Sequence, residues 1–165
     1  MLQEFIDVCT VLNLKYYALG GTLLGVVRHR GFIPWDDDID VGMPRADYEI
    51  FIAKAQMLLA DGYFLQTFKT DKEFPANFAK IRNNNTTFIE TSIGHLHVNH
   101  GVFIDVFPLD YYPNKMIWLF NLKKQLLTLR ITYAFNNNIL KNKVKIARIV
   151  TRIIYPSLET ANPIL

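Results

Sequence analysis

The chain has 165 residues, half of which are hydrophobic, and it carries a formal net charge of +3. This length and composition can bury a sizeable core in one domain, which excludes a disordered protein. The single cysteine, Cys9, excludes an internal disulfide framework and is typical of a reducing compartment. No uninterrupted apolar run approaches the ~18 to 20 residues of a membrane span, and the acidic N-terminal stretch predicts no export signal.

The net charge hides an asymmetry between two parts of the chain. Residues 1–110 hold 9 Lys/Arg against 14 Asp/Glu, a balance of −5. Residues 111–165 hold 9 Lys/Arg against one acid, a balance of +8. We therefore predict a core domain over residues 1–112 and a basic amphipathic helical segment over residues 113–165.

The first part of the chain predicts a mixture of short helices and strands. Apolar residues at helical spacing predict an amphipathic helix over 2–13, and Pro44 suits the first turn of a helix that ends at Gly62. Between these helices we predict a strand at 15–19 and a short helix at 22–27, with Thr22 as its N-cap. A turn at 31–34 and a second strand at 38–43 follow.

The later part of the chain predicts strands first and helices afterwards. Two helices are expected between 116 and about 155, separated by the polar run 136–138. The strand-like pieces before them are at 63–68, 78–82, 86–90 and 100–110. Because helices and strands mix without regular alternation, the predicted fold class is α+β.

Four aspartates stand close together in the stretch DDDID, residues 36–40. On a strand, Asp38 and Asp40 project from the same face at roughly 7 Å spacing. Such carboxylates repel each other unless a cation lies between them, and this arrangement suits one or two Mg²⁺ (or Mn²⁺) ions in a phosphoryl-transfer site. Asp36 and Asp37 are interpreted as a solvated turn before the strand.

A further aspartate occupies an unusual place in the run GVFIDVF. Strand alternation puts Asp105 on one face together with Phe103 and Phe107. A carboxylate between phenylalanines is costly unless something pairs with it. Two interpretations remain open here: a buried aspartate paired with an arginine or backbone amides, or a third metal ligand beside Asp38 and Asp40, which we favour.

Several residues are candidates for binding a nucleotide. Gly20 and Gly21 end one strand and open a helix, so that free backbone N–H groups there can meet a phosphate. Lys80 and Arg82 share a strand face and could reach a diphosphate, or be exposed strand charges. Three further residues are candidates for nucleotide binding, and each has a simpler alternative. Thr22 could cap a helix, Arg28 could neutralise the acids, and Trp35 could line the core.

The run GGTLLGVVRHRGFIPWDDDIDVGMPR, residues 20–45, closely resembles the signature of the LicD family, which includes fukutin and the fukutin-related protein. The later HGVFIDVFPLD and KIRNNNTTF resemble the second block of that family and the strand region between the blocks. The resemblance covers residues 1 to about 112. It implies a nucleotidyltransferase-like fold with a small mixed sheet flanked by helices. It also implies that Gly20 and Gly21 contact phosphate and that Asp38, Asp40 and Asp105 are the metal carboxylates.

The resemblance implies a reaction as well. LicD-type proteins resemble CDP-alcohol phosphotransferases, and the bacterial members transfer phosphocholine from CDP-choline to cell-surface glycans such as teichoic acid or lipopolysaccharide. The eukaryotic relatives transfer ribitol phosphate from CDP-ribitol. We therefore expect a metal-dependent enzyme with a CDP-alcohol donor, CDP-choline first, and a glycan acceptor, and we expect no nucleic-acid partner.

Other functions use similar residues. A DxD glycosyltransferase also binds a metal and a nucleotide diphosphate through aspartates, although such enzymes place a longer nucleotide-binding region before the motif. Another nucleotidyltransferase or an inactive adaptor remains an alternative. An EF-hand needs glycine at the sixth loop position, where Val41 stands, and is excluded.

The basic segment over residues 113–165 has two interpretations. Its apolar stripes could pack on the core, or its helices could lie on an anionic membrane surface. We accordingly expect a cytoplasmic protein with a peripheral contact at the inner face of the membrane as the second possibility. Family members usually continue beyond the point where this sequence ends, so the chain is expected to be truncated relative to the family.

Overall fold

The structure, a computed structural model, describes residues 1–111 and seven separate positions between 117 and 128, which are Ile117, Trp118, Asn121, Leu122, Lys124, Gln125 and Thr128. The chain divides into two compact units, Met1–Asp110 and Tyr111–Leu165. Apart from the seven positions, the helices expected between 116 and 155 lie outside the described residues. Every helix in the described part is too short or too polar to reach across a bilayer.

Helices and strands mix within residues 1–111, which confirms the α+β class. The α-helices are α1 (Leu2–Val11), α2 (Gly20–His29) and α3 (Arg45–Lys54), and a 3₁₀ turn over Ala55–Met57 follows α3. The strands are β1 (Tyr17–Ala18), β2 (Asp40–Pro44), β3 (Tyr63–Gln66), β4 (Ala79–Asn83) and β5 (Val102–Leu109).

The five strands form one mixed sheet in the order β1-β2-β5-β4-β3. The pair β2–β5 is parallel, whereas β1–β2, β5–β4 and β4–β3 are antiparallel. The parallel pair lies inside the sheet, and β1 and β3 form its edges. The two segments that the sequence singles out, around Asp40 and Asp105, are therefore direct neighbours.

One face of the sheet carries the hydrophobic core. Alternate residues of the strands point to this face, where α1 and α3 contribute further apolar side chains. The core includes Phe5, Val8 and Cys9 of α1, Tyr48 and Phe51 of α3, and Val41, Met43, Leu65, Ala79, Ile81, Ile104 and Val106 of the sheet. Strand alternation leaves the residues between them for the opposite face, which is polar.

The strand expected over residues 86–90 is wrong. The chain turns after β4, where the amide of Thr86 donates to the carbonyl of Asn83 at 3.2 Å and the amide of Asn85 donates to the Asn83 side chain at 3.0 Å. Both sides of β4 are already paired with β3 and β5, so this segment finds no open edge there. It instead becomes part of the connection 84–101, which lies between β4 and β5.

We expect Gly101→Ala to destabilise the fold by about 1 to 3 kcal/mol, because overpacking shifts the backbone at the start of the β4–β5 pairing. A Cβ at Gly101 would collide with the carbonyl oxygen of Asn83 and lie 2.9 Å from its carbonyl carbon. The matched control is Gly31→Ala, since a Cβ at Gly31 meets nothing within 4 Å. Urea denaturation should separate the two variants, and equal midpoints would contradict the close approach.

Candidate active site

The polar face of the sheet carries a row of functional groups on adjacent strands. The parallel register pairs Asp40 with Asp105, and the antiparallel registers pair Asp105 with Lys80 and Lys80 with Gln66. Neighbouring strands lie about 4.8 Å apart, so each side chain in this row is within contact distance of the next. The sheet itself therefore sets the spacing of the two acids and the lysine.

Asp38 joins this row from outside the strand. The sequence predicts that Asp38 lies on the strand with Asp40, but β2 begins at Asp40. The carbonyl of Ile39 accepts a hydrogen bond of 2.8 Å from the amide of Asp105, so the pairing with β5 starts one residue after Asp38. Carboxylate oxygens of Asp38, Asp40 and Asp105 nevertheless all lie within 4.8 Å of one another.

Burial and mutual repulsion disfavour the charged form of these acids. Asp105 is 6% exposed, and desolvation raises its pKa to about 6, although the ammonium of Lys80 acts in the opposite direction. Desolvation also raises the pKa of Asp38, with a further contribution from Asp37 and Asp36. The pKa of Asp40 is raised by desolvation and then by the charge of Asp38.

The arrangement fits a divalent cation. The buried oxygen Oδ1 of Asp105 accepts no hydrogen bond from the described residues, although the Lys80 ammonium nitrogen is 2.9 Å away, because that group is aligned with Oδ2 instead, at 3.3 Å. A buried oxygen without a donor calls for a partner. Three carboxylates within 4.8 Å are the hard oxygen ligands that Mg²⁺ and Mn²⁺ prefer.

Helix α2 begins directly beside the carboxylates. It starts at Gly20, with Leu19 as the N-cap, so the expectation that Thr22 caps this helix is wrong. The Thr22 hydroxyl instead accepts a hydrogen bond of 2.8 Å from the amide of Asp40. Gly20 has φ of +49°, and an added Cβ there would be 3.0 Å from Oδ2 of Asp40.

The second glycine of this turn is also in close contact with an acid. A Cβ at Gly21 would collide with the carboxylate of Asp36. Asp36 is half-buried, and its carboxylate groups with those of Asp37 and Asp38 within 4.8 Å. The expectation of a freely solvated turn therefore suits the exposed Asp37 but not Asp36, which faces the start of α2.

Lys80 is buried among groups of opposite charge. Its side chain is 5% exposed, and its ammonium nitrogen lies 2.9 Å from Asp105 and 3.2 Å from Glu90. The same nitrogen is 3.3 Å from the centre of the Phe103 ring, a cation–π contact. The lysine is therefore buried beside the carboxylates, and the alternative of an exposed strand charge is wrong.

Arg82 is fully buried, and its guanidinium holds several elements together. It donates to Gln66 at 2.7 Å, to the carbonyl of Gly101 at 2.8 Å and to Glu90 at 2.7 Å. Here too the alternative of an exposed strand charge is wrong. These three bonds use three of the five N–H groups of the guanidinium, and the contact with a diphosphate suggested for Arg82 stays a prediction.

The remaining candidates are exposed and apart from this network. Arg28 lies in the last turn of α2 and is exposed. Trp35 is 81% exposed, and its ring meets that of His29 edge to face with centroids 5.9 Å apart. The alternative of a core-lining tryptophan is therefore wrong, and a stacking role for Trp35 stays a prediction.

Sequence reasoning missed Glu90 as a member of this site. Its two carboxylate oxygens accept from Lys80 and Arg82, so it closes the network from the connection 84–101. It stands at the end of a run that predicts a strand, and nothing in its spacing points to a buried lysine and arginine. The alternation of Lys80 and Arg82 on one face was the one sign that an acid was needed nearby.

Residues 13–148 match the family model described as LicD/FKTN/FKRP, nucleotidyltransferase domain. The lipopolysaccharide cholinephosphotransferase LicD of Haemophilus influenzae is 30% identical over 135 residues, which are 81% of this chain and 49% of that protein. An uncharacterized protein of Rickettsia prowazekii is 32% identical over 127 residues, which are 75% of this chain and 44% of that protein. The human ribitol 5-phosphate transferase FKRP is 26% identical over 118 residues, with 69% and 21% covered. The matched part is thus less than half of each of these relatives.

We expect Arg82→Met to lower the free energy of unfolding by about 3 to 5 kcal/mol, because it removes the buried donor of Oε2 of Glu90 and of the side-chain oxygen of Gln66. Arg45→Met is the matched control. Arg45 also pairs with two acids, Glu49 and Asp110, but its side chain is 39% exposed. An exposed pair contributes only about 0 to 1 kcal/mol. Chemical denaturation measures both, and similar losses would contradict a structural role for the buried guanidinium.

In the presence of EDTA, we expect the protein to gain stability as the pH falls from 7 to about 5. The pKa of Asp105 is raised from 3.8 to about 6, so the folded state binds this proton more tightly than the unfolded state. The contribution is complete below the unfolded pKa and is lost as the pH rises through the folded pKa. The full shift corresponds to about 3 kcal/mol, of which about 1.3 kcal/mol is gained between pH 7 and pH 5. Melting temperatures against pH should rise less in Asp105→Asn, and parallel curves would contradict the shift.

Proposed function

The chain belongs to the LicD family, and from this we propose that it is a metal-dependent phosphotransferase that moves a phospho-alcohol from a CDP-alcohol donor to a hydroxyl of a cell-surface glycan. Phosphocholine is the first choice, since the Haemophilus influenzae relative is named as a lipopolysaccharide cholinephosphotransferase. The observation that carries the proposal is the convergence of Asp38, Asp40 and Asp105 beside the start of α2.

Asp38, Asp40 and Asp105 would hold Mg²⁺ (or Mn²⁺) through carboxylate oxygens. When bound, the ion supplies positive charge that neutralises the charge developing on the transferred phosphoryl group. Between them the three acids bring three negative charges into a half-buried to buried place, which is unfavourable without a cation. The three acids would thus destabilise the metal-free protein, and binding of a cation would remove that repulsion.

The start of α2 would receive the donor phosphates. Backbone N–H groups at the first turn of a helix are free to bind an anion, and the helix dipole favours negative charge there. Gly20 and Gly21 carry no side chain that would separate a phosphate from Asp40, which is 3.0 Å from the position of a Cβ at Gly20. Lys80 adds a positive charge on the other side of the acids.

In the proposed reaction an acceptor hydroxyl oxygen attacks the phosphorus that bears the alcohol. The new bond joins this oxygen to phosphorus, and the bond from that phosphorus to the bridging oxygen of CMP breaks, so CMP leaves. The hydroxyl proton goes to a carboxylate, and Asp105 is our candidate because it is the most buried of the three acids. Positioning and electrostatic stabilisation supply the rest of the rate enhancement.

The place of action is part of the proposal. The glycan acceptor would be teichoic acid or lipopolysaccharide, and the enzyme would act in the cytoplasm. The basic segment over residues 113–165, with its balance of positive charge, would bring it to the anionic inner face of the membrane, where each basic residue contributes about 1 kcal/mol.

We expect CDP-choline to raise the melting temperature in the presence of Mg²⁺ and not in excess EDTA, because the ion joins the donor phosphates to the carboxylates. CDP-ribitol, CDP-glycerol and UDP-sugars belong to the same panel. A preference for a UDP-sugar would favour a DxD glycosyltransferase. Binding of CDP-choline without transfer in a mass-spectrometric assay would favour the inactive adaptor.

Asp38→Asn, Asp40→Asn and Asp105→Asn should each abolish transfer, with a loss of several orders of magnitude, while the melting temperature in EDTA stays near or above that of the wild type. Relief of like-charge repulsion is the reason for the retained stability. Asp61→Asn, on the exposed turn before β3, is the matched control and should keep full activity. Transfer by any of the three variants at the wild-type rate would exclude the assigned site.

A further inference from the structure

Lys80 is shared between two acids that belong to different parts of the fold. Its ammonium nitrogen lies 2.9 Å from Oδ1 of Asp105 on β5 and 3.2 Å from Oε1 of Glu90 on the connection 84–101. An ammonium has three donors and binds as a point charge, so it can turn toward either acid. Any cation that binds Asp105 has to share that carboxylate with Lys80.

Glu90 is held in place from its other side. Its second oxygen, Oε2, accepts from Arg82 at 2.7 Å, and Arg82 is itself bonded to Gln66 and to the carbonyl of Gly101. The arginine is fully buried and the carboxylate of Glu90 is 23% exposed. Glu90 is therefore held by Arg82 through one oxygen and presents its other oxygen to the ammonium of Lys80.

We propose that Glu90 is a positioning residue, which draws the ammonium of Lys80 away from Asp105 and thereby keeps that carboxylate available to a divalent cation. The inference rests on the proposed function, since it assumes that Asp38, Asp40 and Asp105 bind the metal. Lys80 is the competitor in this arrangement, because its positive charge occupies one side of Asp105. Glu90 and Lys80 consequently have opposite effects on cation affinity.

The geometry also says how a loss of Glu90 would act. In Glu90→Gln the amide oxygen can still accept from Arg82, whereas the amide NH₂ turned toward Lys80 is a donor and cannot accept. Lys80 then has Asp105 as its remaining acid partner and pairs with it more closely. The cation must displace a stronger ion pair, so its affinity falls without a loss of any of its own ligands.

The test is a titration of the full chain with Mn²⁺ alone, followed by electron paramagnetic resonance of the free ion. We expect Glu90→Gln to weaken Mn²⁺ binding and Lys80→Met to tighten it, each by about tenfold, as removal of one nearby charge of either sign requires. In the double variant the Glu90→Gln effect should largely disappear, because its target is gone. Glu49→Gln is the matched control: Glu49 also accepts from an arginine, but Arg45 is its partner, and the affinity should not change.

Each result decides the matter. An equal effect of Glu90→Gln in the presence and absence of Lys80 means that Glu90 acts only as a distant negative charge, and overturns the inference alone. Weaker binding by Lys80→Met overturns it as well. Absence of Mn²⁺ binding by the wild type overturns the proposed function together with the inference. If Lys80→Met does not fold in EDTA, Lys80→Gln replaces it in the single and the double variant. The glutamine keeps a hydrogen-bond donor for both acids.

Discussion

The parallel pairing of β2 with β5 is the interaction on which the rest of the molecule depends. Its register sets Asp40 directly beside Asp105, although 65 positions separate them in the chain. The same register puts Val41 beside Val106 on the opposite face, where α1 and α3 cover the sheet. A slip of one residue would bury the acids in the core and expose the valines. The hydrophobic core therefore guarantees the geometry of the polar face, because the two are alternate halves of the same strands.

The polar face is stabilised differently from the core. Asp105, Lys80 and Arg82 are all buried, and each is costly to bury alone. Their charges are compensated across strands and through Glu90, so that Lys80 and Glu90 each have two partners of opposite charge. The ring of Phe103 contacts both cations, with centroid distances of 3.3 Å to Lys80 and 4.6 Å to Arg82. Such a network holds its members in defined orientations, and it leaves the three aspartates as the place where negative charge is in excess.

Local patterns predicted the α+β class and the alternation of β5, with Asp105 opposite Ile104 and Val106. The resemblance of two motifs identified the family, which the comparisons confirm. The predictions that were wrong depend on contacts between residues that are distant in the sequence. The burial of Lys80 and Arg82 depends on a connection that closes over them, and periodicity within β4 cannot reveal it. The segment 86–90 has strand propensity, but tertiary contacts decide its conformation, since both neighbours of β4 are already in place. Asp38 lies before the strand because pairing begins with the carbonyl of Ile39.

The backbone of Asp40 is held from both sides by one turn of chain. Its amide donates to the hydroxyl of Thr22, and its carbonyl accepts a hydrogen bond of 3.0 Å from the amide of Leu19, the residue that caps α2. Two hydrogen bonds therefore join the start of that helix to the first residue of β2. In the proposed function, an anion at the helix start and a cation at Asp40 would therefore be coupled through these two hydrogen bonds as well as through charge. Because such coupling is reciprocal, each ligand would change the affinity for the other by the same factor. The total free energy of binding both ligands would then be the same whichever of them binds first.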